Sequence, residues 1–207
     1  MTPPFETGAL GILWMLRLDK PLPGSPKPRI PATFSRAGPE IAGELAQAMG
    51  LDNPALVLQL FVTGRHCHIA RVEGRLATYG WITFDEEGIG ELGLSMHLRE
   101  GEAYIWNCAT LPEYRGQRLY PALVAHMLGV LKSAGFQQVW IGTDADNLAS
   151  QVGVELVGFQ PIAEVIQAQD GRFSSRGRPG VPLQDVLDAH FALFGNRDLT
   201  RIVLPKT

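Results

Sequence analysis

With 207 residues, 45% of them hydrophobic, the chain is long enough to bury a sizeable core and short enough to form one α/β domain with extensions. A formal net charge of -3, a pI near 5.9 and the lack of any Lys/Arg run argue against a nucleic-acid partner. No stretch approaches the roughly 20 apolar residues of a membrane span, Met1-Thr2-Pro3-Pro4 is no basic, apolar leader, and Cys67 and Cys108 make no disulfide framework, so the expectation is a cytoplasmic protein with reduced thiols and no membrane partner.

The apolar run Gly11-Ile12-Leu13-Trp14-Met15-Leu16-Arg17-Leu18 has strand length, and the proline-rich stretch 21–28 ends it as a linker. Helical spacing follows over 39–49 and 53–62, the second opened by the capping sequence Asp52-Asn53-Pro54. Residues 66–110 change to short apolar runs broken at 73–74, 85–88 and 99–101, which predicts four antiparallel strands joined by three turns. After Pro112 the pattern predicts a helix to about Ser133, a strand over 138–142, a helix over 148–156 and a strand over 159–168. The Gly-, Ser- and Arg-rich stretch 170–182 is expected to be a mobile loop, 183–194 a helix and 201–205 an apolar strip, and the apolar tail from Leu183 to Leu204 makes a homodimer an expected partner. The resulting division is 1–35, a strand and linker; 36–169, the core; and 170–207, a loop, helix and tail.

The chemistry concentrates between 103 and 159. An apolar strand runs through Leu111-Pro112-Glu113-Tyr114-Arg115-Gly116-Gln117 into a helix that buries Leu119, Leu123, Met127 and Leu131 on one face. The unpaired N–H groups of that helix's first turn then lie at the end of the strand, where a phosphate or pyrophosphate can be held. Downstream, a strand ends at Thr143-Asp144-Ala145-Asp146-Asn147-Leu148-Ala149-Ser150 and the chain continues to Val157-Gly158-Phe159.

These residues resemble the GNAT (N-acetyltransferase) superfamily. The lead-in 111–116 is similar to that family's apolar strand, proline and Tyr-Arg-Gly, and the Asn147 to Phe159 passage is similar to its "Asn, any, any, Ser or Ala … Gly-Phe" sequence. Two small residues of the family motif fall here on Arg118 and Tyr120, whose side chains are therefore expected to point outward. The resemblance implies a mixed six- to seven-stranded α/β sheet, splayed near its centre, with helices on both faces. It implies acetyl-CoA, or another acyl-CoA, as acyl donor, and an amine of a small molecule or peptide as acceptor. It also implies cofactor contacts from Cys108, Ala109, Thr110, Arg115, Gly116, Gln117, Arg118, Leu119, Tyr120, Asn147 and Ser150.

Catalytic residues are less determined by the resemblance. Glu102, on the strand before the motif, is the expected base, and Tyr104 the expected proton donor to the leaving thiolate. Val154 stands where many relatives carry the tyrosine that does this, so an acyl-CoA-binding module without catalysis is the alternative. Cys108 reads as a core thiol rather than a nucleophile. His66 and His68 share a strand face without a third ligand, and read as surface or cleft residues rather than a metal site. His97 and Glu91 read as a polar sheet edge, and Arg172, Arg176 and Arg178 as a solvated basic loop.

Overall fold

The N-terminal run forms strand β1 (Ala9–Arg17), whose alternation sends Leu13 and Met15 to one face and Trp14 and Leu16 to the other. In the computed structural model, which describes residues 8–90, 92–167, 171–195 and 199–204, both faces are covered and all four side chains are buried. The proline-rich stretch forms neither helix nor strand. It leads to β2 (Thr33–Ala37), which carries little sequence signal because Ala37 alone of its five residues is buried.

A single 3-10 turn, Pro39–Ile41, precedes α1 (Ala42–Ala48), and Asn53 caps α2 (Pro54–Val62) by accepting the Ala55 N–H at 2.9 Å. The strand-rich part holds β3 (His66–Val72), β4 (Arg75–Thr83), β5 (Glu86–Ile89), β6 (Leu94–His97) and β7 (Glu102–Thr110). It is followed by α3 (Leu119–Ser133), β8 (Gln138–Asp144), α4 (Leu148–Glu155), β9 (Gln160–Gln167), β10 (Phe173–Gly177), α5 (Leu183–Phe194) and β11 (Ile202–Val203).

Nine strands make one mixed sheet in the order β11-β10-β9-β1-β8-β7-β4-β3-β2, and β5-β6 form a separate hairpin. The sheet is larger than the six or seven strands expected, because β2, β10 and β11, none of them expected as strands, join it. Neighbours are antiparallel except β7 with β8 and β10 with β11. Strand β1 lies between β8 and β9, pairing Gly11 with Asp144 through Arg17 with Gln138 on one side and Ala9 with Ile166 through Met15 with Gln160 on the other. Segment 1–35 thus supplies a central strand rather than an appendage.

Two other expectations change. Residues 86–89 form a strand instead of a turn because the buried Glu87 carboxylate is held by Arg65 at 2.7 Å and by the Thr83 hydroxyl at 2.6 Å. The expected mobile loop contains β10, which pairs with β9, and Glu164 binds both Arg176 and Arg178, at 2.6 and 3.0 Å. The apolar face of α5 is spent inside the subunit, where Val186, Ala189, Ala192 and Leu193 are buried. Glu91, Ala168 and Pro205 lie outside the described residues.

Helices cover both faces. Leu123, Met127 and Leu131 of α3, with Val154 of α4, pack on Ile82, Ile105 and Ile141. On the other face α1 and α2 cover Ile69, Tyr79 and Trp81, and α5 covers Met15, Tyr104 and Trp140. Among the described residues no helix is long and apolar enough to cross a membrane.

Candidate functional site

The site originates in a failure of pairing. Strands β7 and β8 run parallel from Glu102 opposite Gln138 to Ile105 opposite Ile141, and there the ladder stops, although both strands continue. The cause lies on the other edge of β7. Between the pairs Tyr79–Ala109 and Trp81–Trp106, β4 spends one residue, Gly80, while β7 spends two, Asn107 and Cys108. This is a β-bulge, with Asn107 at φ 44°, and it bends β7. Gly80 permits it: a Cβ there would stand 2.6 Å from the Cys108 sulfur. Strand β8 meanwhile remains paired to β1 as far as Asp144, so a gap opens between the two strand ends.

Two cavities meet in this gap, one of about 640 Å³ against the start of α3 and one of about 1210 Å³ between β1, β7, β8 and the β5–β6 hairpin. Cys108, Tyr120, Asn147 and Ser150 line both. The smaller is walled by the loop that leads from the 3-10 turn Pro112–Tyr114 into α3. Gly116 and Arg118 turn the chain there with φ 74° and 57°, and no side chain caps the helix. For Arg118 that left-handed conformation costs about 1–2 kcal/mol.

Most carbonyls of the loop are already engaged. Arg29, in the segment after the linker, donates to Gly116 O at 3.0 Å through its side chain and to Gln117 O at 2.9 Å through its backbone. Arg115 Nε donates to Thr110 O at 3.3 Å and the Thr78 hydroxyl to Ala109 O at 2.7 Å. What remains toward the cavity is donor-rich: first-turn N–H groups and the exposed Arg115 and Arg118 side chains. That chemistry suits a phosphate.

The facing wall is α4. Asn147 caps it, its side-chain oxygen accepting the Ser150 N–H at 3.0 Å, which leaves its amide NH2 for other partners. Tyr120 does not point outward as expected. Its hydroxyl is 3.1 Å from Ser150 Oγ and its ring lies on Gly153, where a Cβ would stand 2.7 Å from it. The absence of a side chain at Gly153 admits the ring that the loop position would otherwise have to expel.

All eleven residues expected at the cofactor therefore line the smaller cavity. Tyr104 lines the larger one, with room for its hydroxyl at Gly142. Glu102 lines neither. It sits at the closed end of the β7–β8 pair, where its carboxylate accepts the Arg99 N–H at 3.0 Å and the Gln138 side-chain amide at 3.1 Å. Burial holds the Tyr104 and Tyr120 phenols far above their ordinary pKa, so both keep their protons as potential donors. Burial also pushes the Cys108 thiol up to about 12, which leaves it neutral and a poor nucleophile. Val154 is buried in the core under α4, away from both cavities.

The other polar candidates fall elsewhere. His68 is not a surface or cleft residue: it is 1% exposed, beneath α3, with its ring 5.4 Å from that of His126. His66 packs edge-on against Phe84, and no group of three potential metal ligands exists among the described residues. His97 lies on β6 beneath Gly195, outside both cavities. Sequence reasoning missed Arg29, Gly80, the Asn107 bulge and Gly153, because each acts on a partner at least 27 residues away.

Comparison with known proteins agrees with this architecture. The sequence pattern of the Acetyltransferase (GNAT) family matches residues 40–154, more than half of the chain. No curated protein matched in a sequence search. Among solved structures, an acetyltransferase from the GNAT family from Colwellia psychrerythraea superposes with TM-score 0.55 and 14% identity, covering 77% of this chain and 55% of its own. A tandem GNAT protein from the clavulanic acid biosynthesis pathway gives 0.54 and 19%, covering 78% and 53%. The ribosomal-protein-S18-alanine N-acetyltransferase from Escherichia coli gives 0.52 and 18%, covering 69% and 88%. The chain thus spans little more than half of two of these proteins, and at such identities the likeness is one of fold. Together the family match and the shared fold show that the chain belongs to the GNAT acetyltransferase family.

Proposed function

We propose that the protein is a cytoplasmic N-acyltransferase that moves an acetyl or other acyl group from coenzyme A to an amine of a small molecule or peptide. The observation that carries the reading is the convergence on one cavity of the unpaired edge of β7 and an uncapped, arginine-flanked helix N-terminus. Acyl-CoA would supply the activated thioester. The N–H groups of Leu119 and Tyr120, with Arg115 and Arg118, hold the pyrophosphate. Backbone groups at Cys108, Ala109 and Thr110 and the Asn147 amide hold the pantetheine arm and place the thioester at the junction of the two cavities. A β7 N–H there would polarise the carbonyl for direct attack by the neutral amine, so that a C–N bond forms as the C–S bond breaks, the nitrogen giving up a proton to solvent and the leaving sulfur taking one from a phenol that solvent reprotonates.

Proton donation falls to the buried phenols. Tyr120 lines both cavities and so lies where the leaving sulfur would be, while Tyr104 lies on the acceptor side. Glu102 takes no part as a base, being committed to Gln138 and Arg99. The buried Val154 favours the alternative reading of an acyl-CoA-binding module without catalysis, and Tyr120 answers it by offering a phenol from α3 instead of α4.

The thermal unfolding midpoint with and without acetyl-CoA tests the binding half, since a ligand of the folded state alone must raise it. Thiol release that occurs only when an amine is added tests the catalytic half. Binding without release selects the inactive module, and no thermal shift with any acyl-CoA overturns both readings.

A further inference from the structure

The charged residues along the cleft reverse sign where the two cavities meet. Among the described residues, those lining the smaller cavity are Arg115 and Arg118, and those lining the larger are Asp144 and Asp146. Both aspartates are exposed, and neither side chain has an ion pair or hydrogen bond among the described residues. Asp144 ends β8 and is fixed opposite Gly11 of β1. Around these carboxylates the larger cavity has a mixed lining, whose apolar part is formed by Leu10 and Ile12 of β1, Ile89 and Leu92 of the hairpin, Trp106 of β7 and Leu193 of α5.

We infer that the acceptor is a primary amine on an apolar body that bears no carboxylate or phosphate, with Asp144 and Asp146 drawing its ammonium group to the gap. This rests on the acyltransferase reading above and names its substrate class. Opposite charge recruits the amine before it sheds its proton, whereas an anionic group on the acceptor meets two carboxylates and no cation in that cavity. The apolar walls require a body that covers them, so an amine lacking one forfeits most of the buried area. A cavity of about 1210 Å³ is large enough for such a body beside the acyl group.

Three probe amines decide the claim: 2-phenylethylamine, L-phenylalanine and ethylamine, each assayed with acetyl-CoA. The first matches the proposal, the second adds a carboxylate, and the third removes the body. Expected is a kcat/KM for 2-phenylethylamine at least about tenfold above either of the others. Asp144→Asn combined with Asp146→Asn is expected to raise its KM about tenfold, to narrow its advantage over L-phenylalanine, and to leave the acetyl-CoA-induced rise in Tm in place.

Equal or better use of L-phenylalanine or ethylamine overturns the proposal, as does an unchanged preference in the double variant. Should the protein bind acetyl-CoA without turning over, the rise in Tm caused by each amine in the presence of CoA ranks the same three compounds. Loss of the acetyl-CoA shift in the parent protein would sink the cofactor reading separately, and the amine-induced shifts would still decide the acceptor.

Discussion

The Tyr120 hydroxyl stands 3.1 Å from Ser150 Oγ, a bond that ties the first turn of α3 to the first turn of α4 beside both cavities. Removing it without changing the ring separates chemistry from packing. Tyr120→Phe is expected to lower kcat about 100-fold while the acetyl-CoA-induced rise in Tm persists. Tyr104→Phe is expected to lose less than about tenfold, being on the acceptor side. Unchanged kcat in Tyr120→Phe would move the donor role to Tyr104 or solvent.

Gly153 matters because of the same tyrosine. A methyl group there would stand 2.7 Å from the Tyr120 ring, inside any real Cβ contact. Gly153→Ala must therefore displace the ring or part α3 from α4. Turnover should fall as far as in Tyr120→Phe, with a stability loss of about 1–3 kcal/mol by denaturant unfolding. Parent-like activity would show that the Tyr120 position is dispensable.

Phosphate binding at the α3 terminus predicts a dependence on charge. Arg118→Glu should weaken acetyl-CoA binding about 10- to 100-fold, as should a rise in ionic strength to a lesser degree. Asn147→Ala is expected to weaken it less, and Arg29→Ala to do so indirectly, by releasing the Gly116 carbonyl from the guanidinium. Calorimetric titration of each variant with acetyl-CoA checks the order, and an unaffected Arg118→Glu would remove the phosphate from this loop.

His68 makes the fold sensitive to acid. Its two ring nitrogens and His126 Nε2 have no hydrogen-bond partner among the described residues. Burial, followed by the nearby His126, His66 and Arg36, lowers the His68 pKa to about 4. An unfolded chain takes up this proton near pH 6.5 and the folded chain refuses it, so the stabilisation is present above about pH 6.5 and lost as pH falls toward 4. The expected slope is about 1.4 kcal/mol per pH unit for this group, and it should flatten in His68→Leu when stability is followed by urea unfolding.

Strand β1 should be indispensable. Deleting residues 1–18 removes Leu13, Trp14, Met15 and Leu16 from two cores and unzips β8 from β9. At about 1.5–3 kcal/mol for each large buried side chain, the loss is comparable to the 5–15 kcal/mol that holds a typical domain together. The shortened chain is expected to lack a cooperative thermal transition by circular dichroism. A folded product that still binds acetyl-CoA would show that β8 and β9 can close on each other.

Legibility in the sequence followed the range of the interactions. The α5 boundaries and the Asn53 cap on α2 were readable because each depends on residues within a turn or two. Strand β5 was misread as a turn because Arg65, the ion-pair partner of the buried Glu87, lies 22 residues away. The place of Glu102 was illegible for a related reason: strand position put it near the motif, whereas the ladder sets it at the closed end, opposite Gln138.

Local order along the chain was therefore enough to determine the strand–helix alternation from β7 to β9, the turn into α3 and the apolar face of that helix. Those features arise from periodicity, caps and glycine turns, which operate within a few residues. Tertiary structure alone decided that β1 sits between β8 and β9, that Tyr120 turns inward over Gly153, and that the two aspartates face one cavity while the two arginines face the other. Each of these depends on which distant segments share a face of the sheet, and a side chain's meaning changes with the neighbour that burial gives it.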